Sequence, residues 1–407
     1  MNAKFDSFAI DIVKKLNKNS FEGWFVGGCI RDALTNIVAK DIDIVTNATP
    51  EQIRKIFKSS RIIGRRFKLV HIFKGNKIIE VATFRASSSE TNSSKSVIKD
   101  GFGKILRDNI WGNINQDCLR RDFTINAIYF DPLRKKIFDI HNGIEDTNRK
   151  RIVSIGNPLK RFEEDPVRSL RAIRFSSKLN FKIAKDIKTA IYEKGYLLQG
   201  VSNARRFDEF NKLFMHGKSN ANYQKLDSFD LLKYLVASAD TKNPYSETLQ
   251  RLALKNTDTR IRSSKSVTPG FLIAALLWPK LIAQSKSISS INTRKFFRNM
   301  DTLLREQQSL TAIPRRFHPY IKDIWSLQLK LETRISKQPY RTLSSPRFRA
   351  AYDLLLLRTK AVNRDKELSD WWTKFQTVNR KIKMSMLKEL ETSNAKNKKF
   401  GLLGELS

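Results

Sequence analysis

Along the first 140 residues, the spacing of hydrophobic positions switches repeatedly between the helical and the strand period, which predicts a mixed α/β region. Apolar residues recur at three- and four-residue spacing over 5–17, predicting a helix. A short strand is expected at 23–26, then a glycine turn at Gly27 and Gly28, then a helical start at 30–34. Alternation of polar and apolar side chains predicts a strand at 40–46, and a helix is expected at 50–57. Two further strand-like runs, 68–73 and 77–84, flank Lys74-Gly75-Asn76, a hairpin signal. Residues 86–109 are rich in serine and follow neither period, so a mobile loop is expected there, beside the candidate site.

From about Pro158 the texture becomes helix after helix as far as Lys388, with connectors expected at 285–293 and 342–347 and a loose polar tail at 391–407. No repeat of fixed period is evident. The expected fold is an α/β head with a small mixed sheet followed by an all-α neck and body. The expected divisions are 1–140 (head), 141–215 (neck), 216–390 (body) and 391–407 (tail).

Charge changes the picture next. The chain of 407 residues is long enough for two or three domains, and its 77 Lys and Arg against 40 Asp and Glu give a net charge of +37. With 40% hydrophobic residues, 26 of them Phe, this is a folded protein carrying its charge on a core, neither a basic disordered tail nor a minimal disulfide scaffold. A surplus of this size raises both affinity and association rate for a polyphosphate backbone, so nucleic acid is the first partner expected. The longest clearly apolar run, 271–278, is far short of the ~20 residues that span a bilayer and reads as a core helix. No transmembrane segment is expected. The N-terminus mixes charges into its apolar positions, unlike a signal peptide, so a cytoplasmic protein is expected, with Cys29 and Cys118 reduced and buried.

The chemistry rests on a few carboxylates that this basic chain keeps together. In Asp41-Ile42-Asp43-Ile44, alternation places both aspartates on one face of the strand, ~6 to 7 Å apart, and the isoleucines on the other. Two such carboxylates repel each other unless a cation sits between them, and hard oxygen ligands favour Mg²⁺. Upstream, Val26-Gly27-Gly28-Cys29-Ile30-Arg31-Asp32 combines a strand, a glycine turn and a helix start, with Arg31 offering a fork for phosphate oxygens. Together these resemble the nucleotidyltransferase superfamily that includes DNA polymerase β.

Two further segments narrow the resemblance. Arg120-Arg121-Asp122, followed by Phe123-Thr124-Ile125-Asn126, is similar to the Arg-Arg-Asp motif of the class II tRNA nucleotidyltransferase/poly(A) polymerase family. Glu164-Asp165-Pro166-Val167-Arg168 continues into Arg171 and Arg174, three arginines at three-residue intervals drifting around one helix face. In that family this helix selects the incoming base. The resemblance implies two Mg²⁺ ions on Asp41 and Asp43, Asp122 as a third catalytic acid, and nucleotide contacts from Gly28, Arg31, Arg121, Asp165, Arg168, Arg171 and Arg174. Glu80 is a second candidate for the third acid, on a strand able to pair beside the Asp41 strand.

Flanking stretches at 62–71, 79–85, 252–261 and 346–358 resemble the bacterial poly(A) polymerase branch, across about residues 20 to 380. The activity implied is template-independent addition of AMP from ATP to RNA 3′ ends, of mRNA, small RNA or tRNA-like molecules. The alternative within the family is a CCA-adding tRNA nucleotidyltransferase. From a different class, the alternative is a non-catalytic RNA-binding protein on the same scaffold. A monomer is expected, with RNA-decay or RNA-chaperone proteins as candidate partners. After the nucleotide-contacting arginines are set aside, most of the positive surplus is expected in the helical body, including Lys280, Lys286, Arg294, Lys295, Arg298, Arg305, Arg315 and Arg316, with Phe296, Phe297 and Phe317 among them.

Overall fold

The computed structural model describes residues 5–35, 41–64, 68–86, 97–99, 105–108, 111–285, 293–362 and 366–403. Lys40, Arg65, Arg66, Phe67 and Lys286 lie outside them, as do most of the expected 86–109 loop and of the 285–293 connector. The chain forms two compact units, Met1–Lys194 and Gly195–Ser407.

The first unit opens with α1 (Ser7–Lys18), whose start is capped by the Asp6 carboxylate accepting the Phe8 N–H. Then follow β1 (Trp24–Val26), α2 (Gly28–Leu34), β2 (Asp43–Thr46), α3 (Pro50–Ile56), β3 (Ser60–Ile63), β4 (Leu69–Lys74) and β5 (Lys77–Thr83). A reciprocal Thr49–Gln52 capping box with Pro50 in the first turn starts α3. The expected loop contains a short antiparallel hairpin, β6 (Val97–Lys99) and β7 (Ile105–Asp108), which its serine-rich composition had hidden. The head continues with α4 (Ile114–Leu119), a single 3₁₀ turn (Thr124–Asn126), β8 (Tyr129–Asp131), β9 (Lys136–Phe138), α5 (Gly143–Asn148), β10 (Arg151–Ile152), α6 (Pro158–Glu164), α7 (Val167–Leu179), β11 (Lys182–Ile183) and α8 (Lys185–Lys194).

Seven strands form one mixed sheet in the order β3-β4-β5-β2-β1-β8-β9, in which only β2 and β5 run parallel. The pleat divides the sheet as the alternation predicted. Ile42 and Ile44 point into the main core with Phe25, Val70, Ile72 and Val81, covered by α1 and by Ile30 and Ile53 of the next two helices. The opposite face carries Val26, Val45, Phe84, Cys118 and Tyr129, and leaves Asp43 open. Both cysteines are buried free thiols; desolvation pushes Cys29 and Cys118 up to about 11.

The second unit is helical among its described residues: α9 (Asn203–Phe214), α10 (Ser219–Ser228), α11 (Pro244–Arg262), α12 (Pro269–Ser285), α13 (Thr293–Leu310), α14 (Phe317–Glu332), α15 (Gln338–Leu343), α16 (Phe348–Val362), α17 (Lys366–Thr377) and α18 (Arg380–Leu403). α12 holds the apolar run and is buried almost all round, as a central core helix must be. Three buried tryptophans each find an acceptor for the indole N–H: Trp278 on the Tyr245 hydroxyl (3.2 Å), Trp325 on the Ala274 carbonyl (3.0 Å) and Trp372 on the Leu331 carbonyl (2.8 Å). α18 continues into the segment expected as a tail. Among the described residues no helix is long and apolar enough to cross a membrane.

The expected neck is split between the units, and α6 and α7 belong with the head. The reason is local: arginines on these two helices bond to the backbone and carboxylate of residues 119–122.

Candidate active site

The β2 register builds the site. Asp43 lies opposite Val26 on one side and Glu80 on the other, and Glu80 in turn lies opposite His71. Adjacent strands stand about 4.8 Å apart, so three carboxylates, Asp41, Asp43 and Glu80, gather on one edge of the open face. Asp41, Asp43 and Glu80 all remain open to solvent. Crowding by neighbouring atoms, then Glu80 and, less strongly, Asp41 nonetheless push the Asp43 carboxyl up to about 6, opposed by the positive charge of Arg121. No described residue gives Asp41 or Asp43 a side-chain hydrogen bond or ion pair, whereas Glu80 faces the His71 ring nitrogen at 3.2 Å. Asp41 and Glu80 thus crowd negative charge around Asp43, which a bound cation would offset.

The Arg-Arg-Asp motif forms the adjoining wall, and most of its groups are engaged internally. Asp117, fully buried within α4, receives Arg120 on one oxygen (2.8 Å) and Arg121 on the other (3.1 Å). Those cations hold its carboxyl near 2 against the cost of burial. Arg121 also donates to the Tyr129 hydroxyl (2.8 Å) and to the Asn126 carbonyl (3.0 Å), and lies over the Tyr129 ring. Burial works against the Arg121 charge, but the Asp117 carboxylate outweighs it and raises the pKa. Arg121 Nη1 would stand 3.3 Å from a Cβ at position 27, where φ is +74°. Gly27 is therefore the constrained glycine of the turn, whereas a Cβ at Gly28 would meet only an ordinary contact at 3.6 Å with Arg31.

Two of the expected site residues are engaged inside the protein. Arg31 is not a free phosphate fork: it is buried, with two donors on Asp32 Oδ1 (2.9 and 2.6 Å) and a third on Asn126 Oδ1 (2.6 Å). Asp122, expected as the third catalytic acid, is paired with Arg171 and Asn126. It is buried, accepts Arg171 Nε at 2.6 Å, Asn126 Nδ2 at 3.0 Å and its neighbour's N–H at 2.9 Å, and is held below the usual carboxylate range, Arg171 overcoming burial. The register places Glu80, not Asp122, beside Asp43.

The arginine helix divides its labour. Arg168 donates to the carbonyls of Arg121 (3.4 Å) and Arg120 (3.2 Å), and burial, then Arg161, lower its pKa to about 10, so it stays charged at neutral pH. Arg171 holds Asp122, and Arg174 lies 4.6 Å over the Phe175 ring, which Arg31 and Arg171 also approach at 5.1 and 5.3 Å. Asp165 ends α6, half-buried, and its carboxylate accepts the Val167 N–H at 3.2 Å. Sequence reasoning missed Asp117 and Arg161. Asp117 was findable, three and four residues before Arg120 and Arg121 at the spacing of helical ion pairs. Arg161, whose Nη2 reaches the carbonyls of Leu119 (3.2 Å) and Arg121 (2.7 Å), makes contacts over forty residues that no local pattern announces.

Comparison with known proteins bears on this geometry. Family models described as the poly A polymerase head domain, the probable RNA and SrmB-binding site of polymerase A, and the polymerase A arginine-rich C-terminus match residues 23–153, 180–241 and 291–400. Over 399 residues the chain is 38% identical to poly(A) polymerase I of Salmonella typhi, an alignment covering 95% of this chain and 86% of that one. The chain belongs to the poly(A) polymerase I family. Its likeness to the CCA-adding enzyme of Enterococcus faecalis is 37% over 207 residues, 51% of this chain and 48% of the other. A solved structure described as a tRNA-processing enzyme in apo form I covers 93% of this chain and 94% of its own at TM-score 0.66 and 18% identity, a likeness of fold. The head that carries the carboxylate row is thus the poly(A) polymerase head of this family member.

Proposed function

We propose that this protein adds AMP residues from ATP to RNA 3′ ends without a template, releasing pyrophosphate at each step. The observation that carries the reading is the extent of the likeness to poly(A) polymerase I, which continues through the helical body and includes the arginine-rich C-terminal segment.

Asp41, Asp43 and Glu80 are the residues that would hold Mg²⁺. They fit it: the donors are all oxygens, they are open to solvent, and they repel one another. Among the described residues no three His, Cys, Asp or Glu side chains form a complete metal site, so an ion there would need water and substrate phosphates as further ligands. Bound there, the ion would lower the pKa of a hydroxyl and offset charge on the phosphates.

The chain's own residues supply position and charge. Arg171, fixed by Asp122, and Arg174, seated on Phe175, present positive charge beside the Arg-Arg-Asp turn. Asp165 and Arg168 offer an acceptor and donors to a base edge, with Arg168 steadied by the 120–121 carbonyls. Arg31 and Arg121 act as braces for that wall. The RNA 3′ oxygen then attacks the α-phosphorus in line as the bond to the β-phosphate bridge breaks.

The test supplies an unrelated RNA with ATP alone and, separately, a tRNA lacking its last three nucleotides with CTP and ATP. A ladder of long products on the unrelated RNA is expected. A discrete three-nucleotide extension confined to tRNA would establish the CCA-adding alternative instead, and ATP binding with no incorporation on either would mark a non-catalytic RNA-binding protein.

A further inference from the structure

A charged concavity lies in the helical unit. Arg298, Asp301, Leu304, Arg305 and Gln308 of α13 and His318 and Lys322 of α14 line a groove of about 460 Å³, within the roughly 300–1,000 Å³ of ligand pockets. Residues 298, 301 and 305 recur at helical spacing, spanning about 10 Å of the axis, so the guanidinium-bearing side of α13 faces one rim while His318 and Lys322, one turn apart, form the other. Its floor is the buried Leu304. Three permanent cations face a single carboxylate, Asp301, which pairs with Lys322; the His318 ring nitrogen meets Gln308 at 3.3 Å. Arg298 and Arg305 are exposed and carry the uncompensated charge. Phe297, 44% exposed and one turn before Asp301, holds an aromatic face next to this rim.

From this arrangement we infer that the α13–α14 groove is a binding site for the sugar-phosphate backbone of single-stranded RNA, with Phe297 stacking a base beside it. Two forked cations with an exposed ring fit a phosphate with its base, because guanidinium forks match phosphate oxygens and every base has a π-face. An acidic polypeptide would use the charge but leave the ring without a partner. The groove lies outside the 180–241 segment matched by the RNA-binding family model and inside the 291–400 segment matched by the arginine-rich C-terminus model, so it is an additional hold on the strand. Such a hold has a use in repeated addition without a template, where the product must stay bound while its end advances. The inference rests on RNA being the substrate.

The experiment measures binding of a fluorescent 20-nucleotide RNA to the full-length protein, without ATP, over a range of salt. Arg298→Ala/Arg305→Ala should weaken binding about tenfold and reduce the slope of log affinity against log salt by roughly 1.4, two single-strand phosphate contacts. Phe297→Ala should weaken it about fivefold or more with the slope unchanged, as lost stacking requires. Arg54→Ala, an exposed cation on α3 of the head, is the control and should move neither. Unchanged affinity and slope in the double variant overturn the inference, as does poly-glutamate displacing the RNA as effectively as unlabelled RNA of equal charge. Wild-type protein that extends no RNA defeats the proposed function instead, so the two failures are distinguishable.

Discussion

The two units carry similar positive surplus and spend it in opposite ways. Residues 1–194 hold 38 Lys and Arg against 22 Asp and Glu, and residues 195–407 hold 39 against 18, net +16 and +21. With Arg31, Arg121, Arg168, Arg171 and Arg174 set aside, the head keeps +11 against +21, so most of the remaining surplus lies in the helical unit, as expected. In the head, Arg31, Arg121, Arg161, Arg168 and Arg171 are built into the wall of the site by carboxylates and backbone carbonyls. In the body, Arg298, Arg305, Arg315 and Arg316 stand exposed. The difference separates two uses of one residue type. A fixed guanidinium has its ordering entropy settled on folding and can define a pocket; an exposed one stays mobile and orders only when it meets a ligand. The head's acids follow the same division: Asp117 and Asp122 lock arginines, while Asp41, Asp43 and Glu80 are left to repel.

The sharpest break of this contrast is at Asp43. Asp43→Asn should lower AMP incorporation by on the order of 10³-fold or more while RNA affinity, carried by cations elsewhere, stays at the wild-type value. Parallel measurement of incorporation and RNA binding checks it; retained extension would remove the carboxylate row from the chemistry.

Next in size is the choice between Glu80 and Asp122. Glu80→Gln should cut activity about 100-fold and leave thermal stability nearly unchanged, since it removes repulsion around Asp43 and keeps an amide oxygen for the exposed contact with His71. Asp122→Asn should cut activity about 10- to 100-fold, through the released Arg171, and also cost about 1–3 kcal/mol of stability. Thermal unfolding beside the activity assay separates the two. An Asp122→Asn protein as stable as wild type and as inactive as the Asp43 variant would move Asp122 into the carboxylate row.

How much of this was legible follows the range of the interactions involved. The Asp41/Asp43 face, the hairpin at Gly75, the Arg helix and the core helix at Trp278 are written in periods of two and 3.6 within a few residues. Short strands such as β8 and β10 are set by pairing with distant segments, and three residues or fewer carry too little periodicity to announce themselves. Arg31 read as a phosphate ligand because its context was a glycine turn, but Asn126, 95 residues away, decides where its fork points. Asp122 and Glu80 could be distinguished only by strand register, which places one beside Asp43 and gives the other to Arg171.

A smaller effect tests the locked state of the head by pH. Asp117 has a folded pKa near 2 against an ordinary 3.8, so its partners stabilise the native state fully above pH 3.8 and progressively less as the pH falls towards 2. The depressed value corresponds to about 2 kcal/mol, at 1.36 kcal/mol per unit, for a side chain with no solvent exposure. Denaturant unfolding of wild type and Asp117→Asn should differ most above pH 4 and converge as the pH approaches 2. Curves that stay parallel through that range would mean the ion pairs with Arg120 and Arg121 contribute nothing beyond packing.

The smallest expected effect belongs to the body and completes the contrast. If exposed arginines there act as charge alone, then Arg315→Lys/Arg316→Lys, which keeps both charges and removes both forks, should change RNA affinity by less than about twofold and leave the salt slope as it was. Neither residue carries a buried ion pair whose geometry a lysine would spoil: Arg316 lies 5.1 Å over the Phe317 ring, a contact an ammonium also makes. The same exchange at Arg121 would remove donors from Asp117, Tyr129 and Asn126 together, which a single ammonium on a flexible stem cannot replace. Titration of the double-lysine protein with RNA at several salt concentrations decides the matter. A fall of tenfold or more at constant charge would mean that these arginines are positioned as firmly as those of the head, and that the body reads the shape of its RNA as well as its charge.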